Sequence, residues 1–253
     1  MMTKKIAMLF MTIFFLFPPY IQSGYGSSVD RVPQALYAEL LAKYVTSGKV
    51  NYQGFKKEEK NLDQYLTLLE HVAPKTLPRK EQFAFYINAY NAWTVKLILS
   101  GYPGVKSIKD LGSLFKSPWK KKICRIDNKV VTLDHIEHDI LRPRFRDPRV
   151  HFAINCAAKS CPPLRSEPYR GDRLDQQLDE MTRHFINDVK SNRLTDNTLY
   201  VSSIFKWFKE DFNDDIVGFF LKYAEEDLKA RLEKNRGKIT VRYLDYDWSL
   251  NGT

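Results

Sequence analysis

The chain predicts an α+β fold in a single domain, mostly helical, built around a buried central helix and packed on a small, mostly antiparallel sheet. Three observations predict it. The stretch from Pro78 to Ser100 is apolar on every side of a helical axis, with Phe83, Phe85, Ile87, Tyr90, Trp93, Val95 and Leu97 pointing all round it. Short β-branched runs bounded by turn residues recur in the second half of the chain. Finally, 253 residues less an N-terminal leader amount to one domain. Apolar types make up 43% and Phe, Trp and Tyr 13%, enough for a core without many disulfides.

Val32 to Tyr44 carries Leu36, Leu40, Leu41 and Tyr44 at helical spacing and stops at Ser47-Gly48. Val50-Asn51-Tyr52 reads as extended, and a second helix covers Lys57 to His71. Pro78 belongs to the first turn of the central helix, and Gly101 with Pro103 ends it. A hairpin of Lys122 to Ile126 with Lys129 to Leu133 turns at Asp127-Asn128, and a short helix runs from Asp134 to Leu141. Val150 to Asn155 alternates and reads as a strand, as do Leu199 to Ser202 and Ile239 to Leu244. Helices fill Leu174 to Lys190, Ile204 to Phe212 and Ile216 to Lys234.

The N-terminus has the three-part layout of a secretory signal: Lys4-Lys5, an apolar run from Ile6 to Phe17, then Pro18-Pro19 and small residues. We expect residues 1–26 to be a cleavable signal peptide, residues 27–253 to be the domain, and the mature chain to be periplasmic or secreted. The apolar run falls short of the roughly 20 residues a membrane span needs, so no transmembrane segment is expected in the mature chain. Net charge is +10, or +8 once Lys4 and Lys5 are gone. For an exported protein this excess argues against nucleic acid and toward an anionic envelope component, a small molecule or plain solubility. No cofactor is expected.

The segment from Pro148 to Leu164 gathers His151, Asn155, Cys156 and Cys161. In an extended strand His151 and Asn155 share one face, roughly 13 Å apart, able to line one cleft. Cys156, at an odd interval from His151, falls on the other face, so a local Cys–His dyad is disfavoured. A thiolate mechanism then needs the chain to fold back or another histidine, His135, His138 or His184, to come in. Four residues separate Cys156 from Cys161, and a compact turn can bring them to disulfide distance. Disulfide, catalytic thiol and inert buried thiols all stay open. Cys124, in the hairpin, is left over.

Asn88, Asn91 and Thr94 make a polar stripe on the apolar helix. Buried amides without partners cost about 1–3 kcal/mol each, so the stripe must face hydrogen-bonding groups. These are either a neighbouring loop's backbone or a substrate carbonyl in the cleft of His151 and Asn155. His135 and His138 could share a helix face, but no spaced partner completes a zinc site, and no metal is expected. Arg142, Arg144, Arg146 and Arg149 form a basic run; Arg149, together with Arg165 beyond the loop, is a candidate for holding a carboxylate or phosphate, with ion pairing to nearby acids as the alternative.

Phe85 to Ala92, Leu133 to Arg142, His151 to Cys156 with Ser160-Cys161-Pro162-Pro163-Leu164, and Tyr169 resemble, in order, the signature blocks of the domain of unknown function 547 family. Ser203 to Phe208 with Asp211-Phe212 is similar to its closing helix, so the resemblance covers roughly Tyr37 to Phe212. It implies no settled reaction, and it places Tyr169 among the candidate binding residues. Bacterial members are often exported. Plant relatives commonly carry other residues where this chain has the two cysteines and the histidine, which weighs against a thiol enzyme as the family-wide activity.

Two functional classes follow. One is an envelope binding module: a disulfide-clamped loop beside a polar cleft lined by Asn88, Asn91 and Asn155, with a basic rim. The other is a thiol-dependent hydrolase or acyltransferase, papain-like or transglutaminase-like in residue types, in which Cys156 or Cys161 attacks and a histidine such as His151 is the base.

Overall fold

The computed structural model describes residues 34–113 and 116–252; the expected signal segment, residues 1–26, lies outside the described residues. Helix α1 (Ala35–Tyr44) leads into a minimal hairpin of β1 (Val45–Thr46) and β2 (Lys49–Val50). The hairpin turns at Ser47 and Gly48, both at positive φ, and Gly48 packs against Pro163, where a β-carbon would collide. Asn51 accepts from the Gly54 N–H and so starts α2 (Tyr52–Lys57), ahead of α3 (Glu59–Glu70). Pro78 caps α4 (Arg79–Leu99), in which every residue from Phe83 to Val95 is buried. Helix α4 is the hub, packed against α2, α3 and the helical segments that follow it.

The hairpin of β3 (Cys124–Ile126) and β4 (Lys129–Val131) turns where expected, with Asp127 and Asn128 both at positive φ. Its Cys124 is a free, buried thiol whose pKa burial pushes up, leaving it inert. Thr132 caps the single turn α5 (Leu133–His135), which widens into a π-helix, Ile136–Phe145, containing Pro143.

The expected strand over Val150 to Asn155 does not form. Pro148–Phe152 is a 3₁₀ helix, after which the chain turns to Ala157 at positive φ. The reason is local: Pro148 fixes φ at the first helical position and the Asp147 carboxylate accepts the Arg149 N–H, so both start signals outweigh the alternating apolar pattern. The facing of His151 against Cys156 deduced from that strand falls with it.

Helix α6 (Leu174–Asn187) is followed by β5 (Arg193–Thr195) and β6 (Thr198–Val201), then α7 (Ile204–Trp207), a 3₁₀ turn over Lys209–Phe212, α8 (Ile216–Tyr223), α9 (Glu226–Lys234) and β7 (Thr240–Tyr243). The single helix expected over Ile216 to Lys234 is broken at Ala224. Asn187 of α6 donates to the Tyr223 carbonyl and accepts from the Glu225 N–H, which supplies from outside the bonds the helix would have made. Strands β5 and β6 are antiparallel and β6 and β7 parallel, giving three small, mostly antiparallel sheets among the described residues. The fold is α+β, as expected. Among the described residues no helix is long and apolar enough to cross a membrane.

Candidate functional site

Asn91 donates to the Ala153 carbonyl (2.9 Å) and accepts from the Asn155 N–H (2.8 Å). One turn earlier Asn88 does the same for Tyr169, donating to its carbonyl and accepting from its N–H, both at 2.8 Å. Asn155 in turn donates to the Pro162 carbonyl and accepts from the Ala157 N–H. Asn88 and Asn91 therefore hold the 153–169 loop to the hub helix, and Asn155 braces the loop from within. They do not open onto the cavity described below, so the expected hollow shared by residues 88, 91, 151 and 155 is not formed. Thr94, the third member of the stripe, has a buried hydroxyl without a partner among the described residues, as does Tyr169.

Cys156 and Cys161 are joined by a disulfide, with Cα atoms 6.1 Å apart, and the Cys156 N–H donates to the Cys161 sulfur (2.8 Å). The sulfur of Cys156 meets the Tyr246 hydroxyl at 3.2 Å. Both cysteines are half-buried.

His151, at the end of the 3₁₀ helix, stacks on Phe208 with centroids 4.0 Å apart and places Nε2 2.7 Å from Asp211 Oδ2. Arg142 of the π-helix grips both oxygens of Asp211, at 2.6 and 3.1 Å, and reaches Glu210 at 2.7 Å. Burial alone would raise the Asp211 pKa; hydrogen bonds from His151 and Arg142 outweigh it and hold the carboxyl far below its usual range. An ionised carboxylate only accepts, so Nε2 carries the hydrogen and Nδ1 is the free nitrogen, with no partner among the described residues.

His151 and Phe208 open onto a cavity of about 240 Å³. His151, Cys156 and Cys161 line it, with Asp134 from α5, Glu137 from the π-helix and an aromatic wall of Tyr90, Trp119, Trp207, Phe208, Tyr246 and Trp248. Glu137 is the only buried acidic residue among the described residues, and its Oε2 accepts the Tyr90 hydroxyl (3.0 Å). Burial, and then the neighbouring Glu137, push the Tyr90 pKa up, which keeps that hydroxyl a donor. The wall is itself packed: Tyr246 and Trp248 centroids are 4.6 Å apart, Trp207 and Tyr246 4.8 Å.

The sequence reading missed this wall. Tyr246 and Trp248 belong to a C-terminal strap bound across the disulfide loop: the Lys159 N–H donates to the Ser249 carbonyl (2.8 Å) and the Ser160 N–H to the Asp247 carbonyl (3.2 Å). Asp211 was likewise legible only as part of a family block. The basic-rim candidates are occupied. Arg149 is held by Asp147, Asp175 and Asp179, and Arg165 by Glu167 and Glu180. His135 pairs with Asp139, and His138 accepts from Arg142. Among the described residues no group of three or more His, Cys, Asp or Glu side chains gathers as metal ligands would.

Fold and site together define an α+β protein with a disulfide-edged, aromatic-walled pocket beside an oriented imidazole. Residues 74–186 match the model of the family described as "Protein of unknown function, DUF547", which supports assigning this region of the chain to that family. The strap and Asp211 lie outside the matched residues. No curated protein and no solved structure matches the chain.

Proposed function

We propose that the pocket binds an organic cation, an ammonium group carrying small apolar substituents. The observation that carries this reading is the buried Glu137 carboxyl group among aromatic faces, one oxygen taken by Tyr90 and the other without a partner among the described residues. Ammonium groups are attracted to aromatic faces by about 0.5–2 kcal/mol, more when desolvated. Lys109 already behaves so, its Nζ 3.9 Å from the Trp248 ring centroid. The net positive charge of the chain does not oppose this, because the lining holds Asp134 and Glu137 and no Lys or Arg. An exported location, proposed from the N-terminal segment, suits the disulfide that edges the pocket.

Choline and its neutral isostere 3,3-dimethyl-1-butanol separate charge from shape. Tryptophan fluorescence titration of the oxidised protein should show choline binding about tenfold tighter, a difference of about 1.4 kcal/mol. Glu137→Gln, which keeps an acceptor for Tyr90, should remove the difference and leave the isostere unaffected. Equal binding of the two probes by the wild-type protein, or binding of neither, sinks the reading.

A second reading, thiol-dependent acyl transfer, is favoured by one specific observation: the Asp211-oriented His151 opens onto the same cavity as Cys156. In the disulfide form the Cys156 sulfur faces Tyr246, so this chemistry requires reduction and a turn about its Cα–Cβ bond. After reduction, Cys156 should alkylate with iodoacetamide with an apparent pKa below the usual value of about 8.5, and His151→Ala should restore the ordinary value. Identical pH profiles in the two proteins remove this reading and leave cation binding standing.

A further inference from the structure

The disulfide stands between two cavities. Cys156 lines the aromatic pocket, and Cys161 lines both that pocket and a second hollow of about 570 Å³ on its far side. That second hollow is of opposite character. Lys49 of the first hairpin, Lys159 of the disulfide loop and Lys190 beyond α6 line it, together with His184 and a single carboxylate, Asp188. Asp188 is engaged by the Ser191 hydroxyl and the Lys190 N–H. Lys159 reaches Asp247 only at 4.0 Å, and Lys49 and Lys190 have no ion-pair partner among the described residues. All three lysines are exposed, and Pro163 packed on Gly48 holds the hairpin that carries Lys49 beside the loop.

We propose that this basic hollow is a docking site for a small thiol bearing carboxylates, which exchanges with the disulfide at Cys161 and releases Cys156 into the aromatic pocket. The lysines concentrate the anion beside Cys161. Its thiolate attacks the Cys161 sulfur, a new sulfur–sulfur bond forms, the bond between Cys161 and Cys156 breaks, and its electron pair leaves on Cys156 as a thiolate. The incoming thiol is oxidised to a mixed disulfide while Cys156 is reduced. The Tyr246 hydroxyl, 3.2 Å from the Cys156 sulfur, donates to the departing thiolate, which lowers the barrier at the leaving group. Exchange at Cys161 is independent of cation binding. What the released Cys156 then does rests on the thiol reading of the pocket.

Two probes test this: mercaptosuccinate, a dianionic thiol, and 2-mercaptoethanol, an uncharged one, each reacted with the oxidised full chain in the presence of iodoacetamide. Mass spectrometry of the trapped products should find the mercaptosuccinate adduct on Cys161 and the carbamidomethyl group on Cys156. The double variant Lys49→Glu/Lys190→Glu, with an unchanged melting curve, should slow exchange with mercaptosuccinate about tenfold and leave 2-mercaptoethanol within twofold. Raising the salt concentration should slow only the anionic probe. Adducts on Cys156, or equal slowing of both thiols in the variant, overturn the proposal. Choline titration of the oxidised protein reports separately on the pocket, so failure of one reading is not mistaken for failure of the other.

Discussion

Replacing Asn91 with alanine should destabilise the protein by about 3 kcal/mol. The amide is 3% exposed and serves two buried backbone groups, the Ala153 carbonyl and the Asn155 N–H, on either side of Ile154. Removing it takes away the side-chain partner of both, at about 1–3 kcal/mol each. The damage also lands at the site, because residues 153–155 join His151 to Cys156. Urea unfolding should show a lower midpoint with an unchanged slope, and choline binding in the folded fraction should weaken as well. A loss under about 1 kcal/mol would mean that the loop keeps its path by packing alone.

Asp211→Ala should cost a similar amount, about 3 kcal/mol, by stranding two partners at once. Among the described residues His151, whose side chain is 1% exposed, loses its only side-chain hydrogen bond, and Arg142 is left with the exposed Glu210, the His138 contact and the Phe208 ring. Breaking a half-buried charge pair from one side is costly because the remaining charge stays partly desolvated. The same carboxylate sets an acid limit. Its folded pKa is depressed, so its contribution is fully present above the unfolded value of about 3.9 and is lost as pH falls below that toward the folded pKa. Wild-type stability should therefore drop between about pH 4 and pH 2 more steeply than that of Asp211→Ala. Parallel pH profiles of unfolding free energy for the two proteins would show that the network contributes nothing net.

Much of the fold was legible because its signals are local. The apolar circumference from Phe83 to Leu99 marks a helix that must be surrounded, and Asp127-Asn128 marks a two-residue hairpin turn because both residues tolerate positive φ. The misread elements share a cause. At Val150 to Asn155 the Asp-Pro helix start overrides a period-two apolar pattern, and at Ala224 a side chain from another helix cuts an otherwise continuous periodicity. The asparagine stripe was read correctly as needing partners, but sequence could not distinguish a ligand from a loop. The loop is the partner: Asn88, Asn91, Asn155, Asn187 and Asn192 each donate to a backbone carbonyl and accept from a backbone N–H.

By itself the sequence determined the helical majority, the hub helix, the hairpin and the proximity of Cys156 to Cys161, since periodicity, turn chemistry and five-residue spacing act within a few residues. Only the tertiary structure decided what faces the pocket. Asp211 comes from 60 residues beyond His151, and Tyr246 from 90 residues beyond Cys156. No short-range pattern encodes such meetings, because their geometry depends on how helices and the C-terminal strap stack around the buried core.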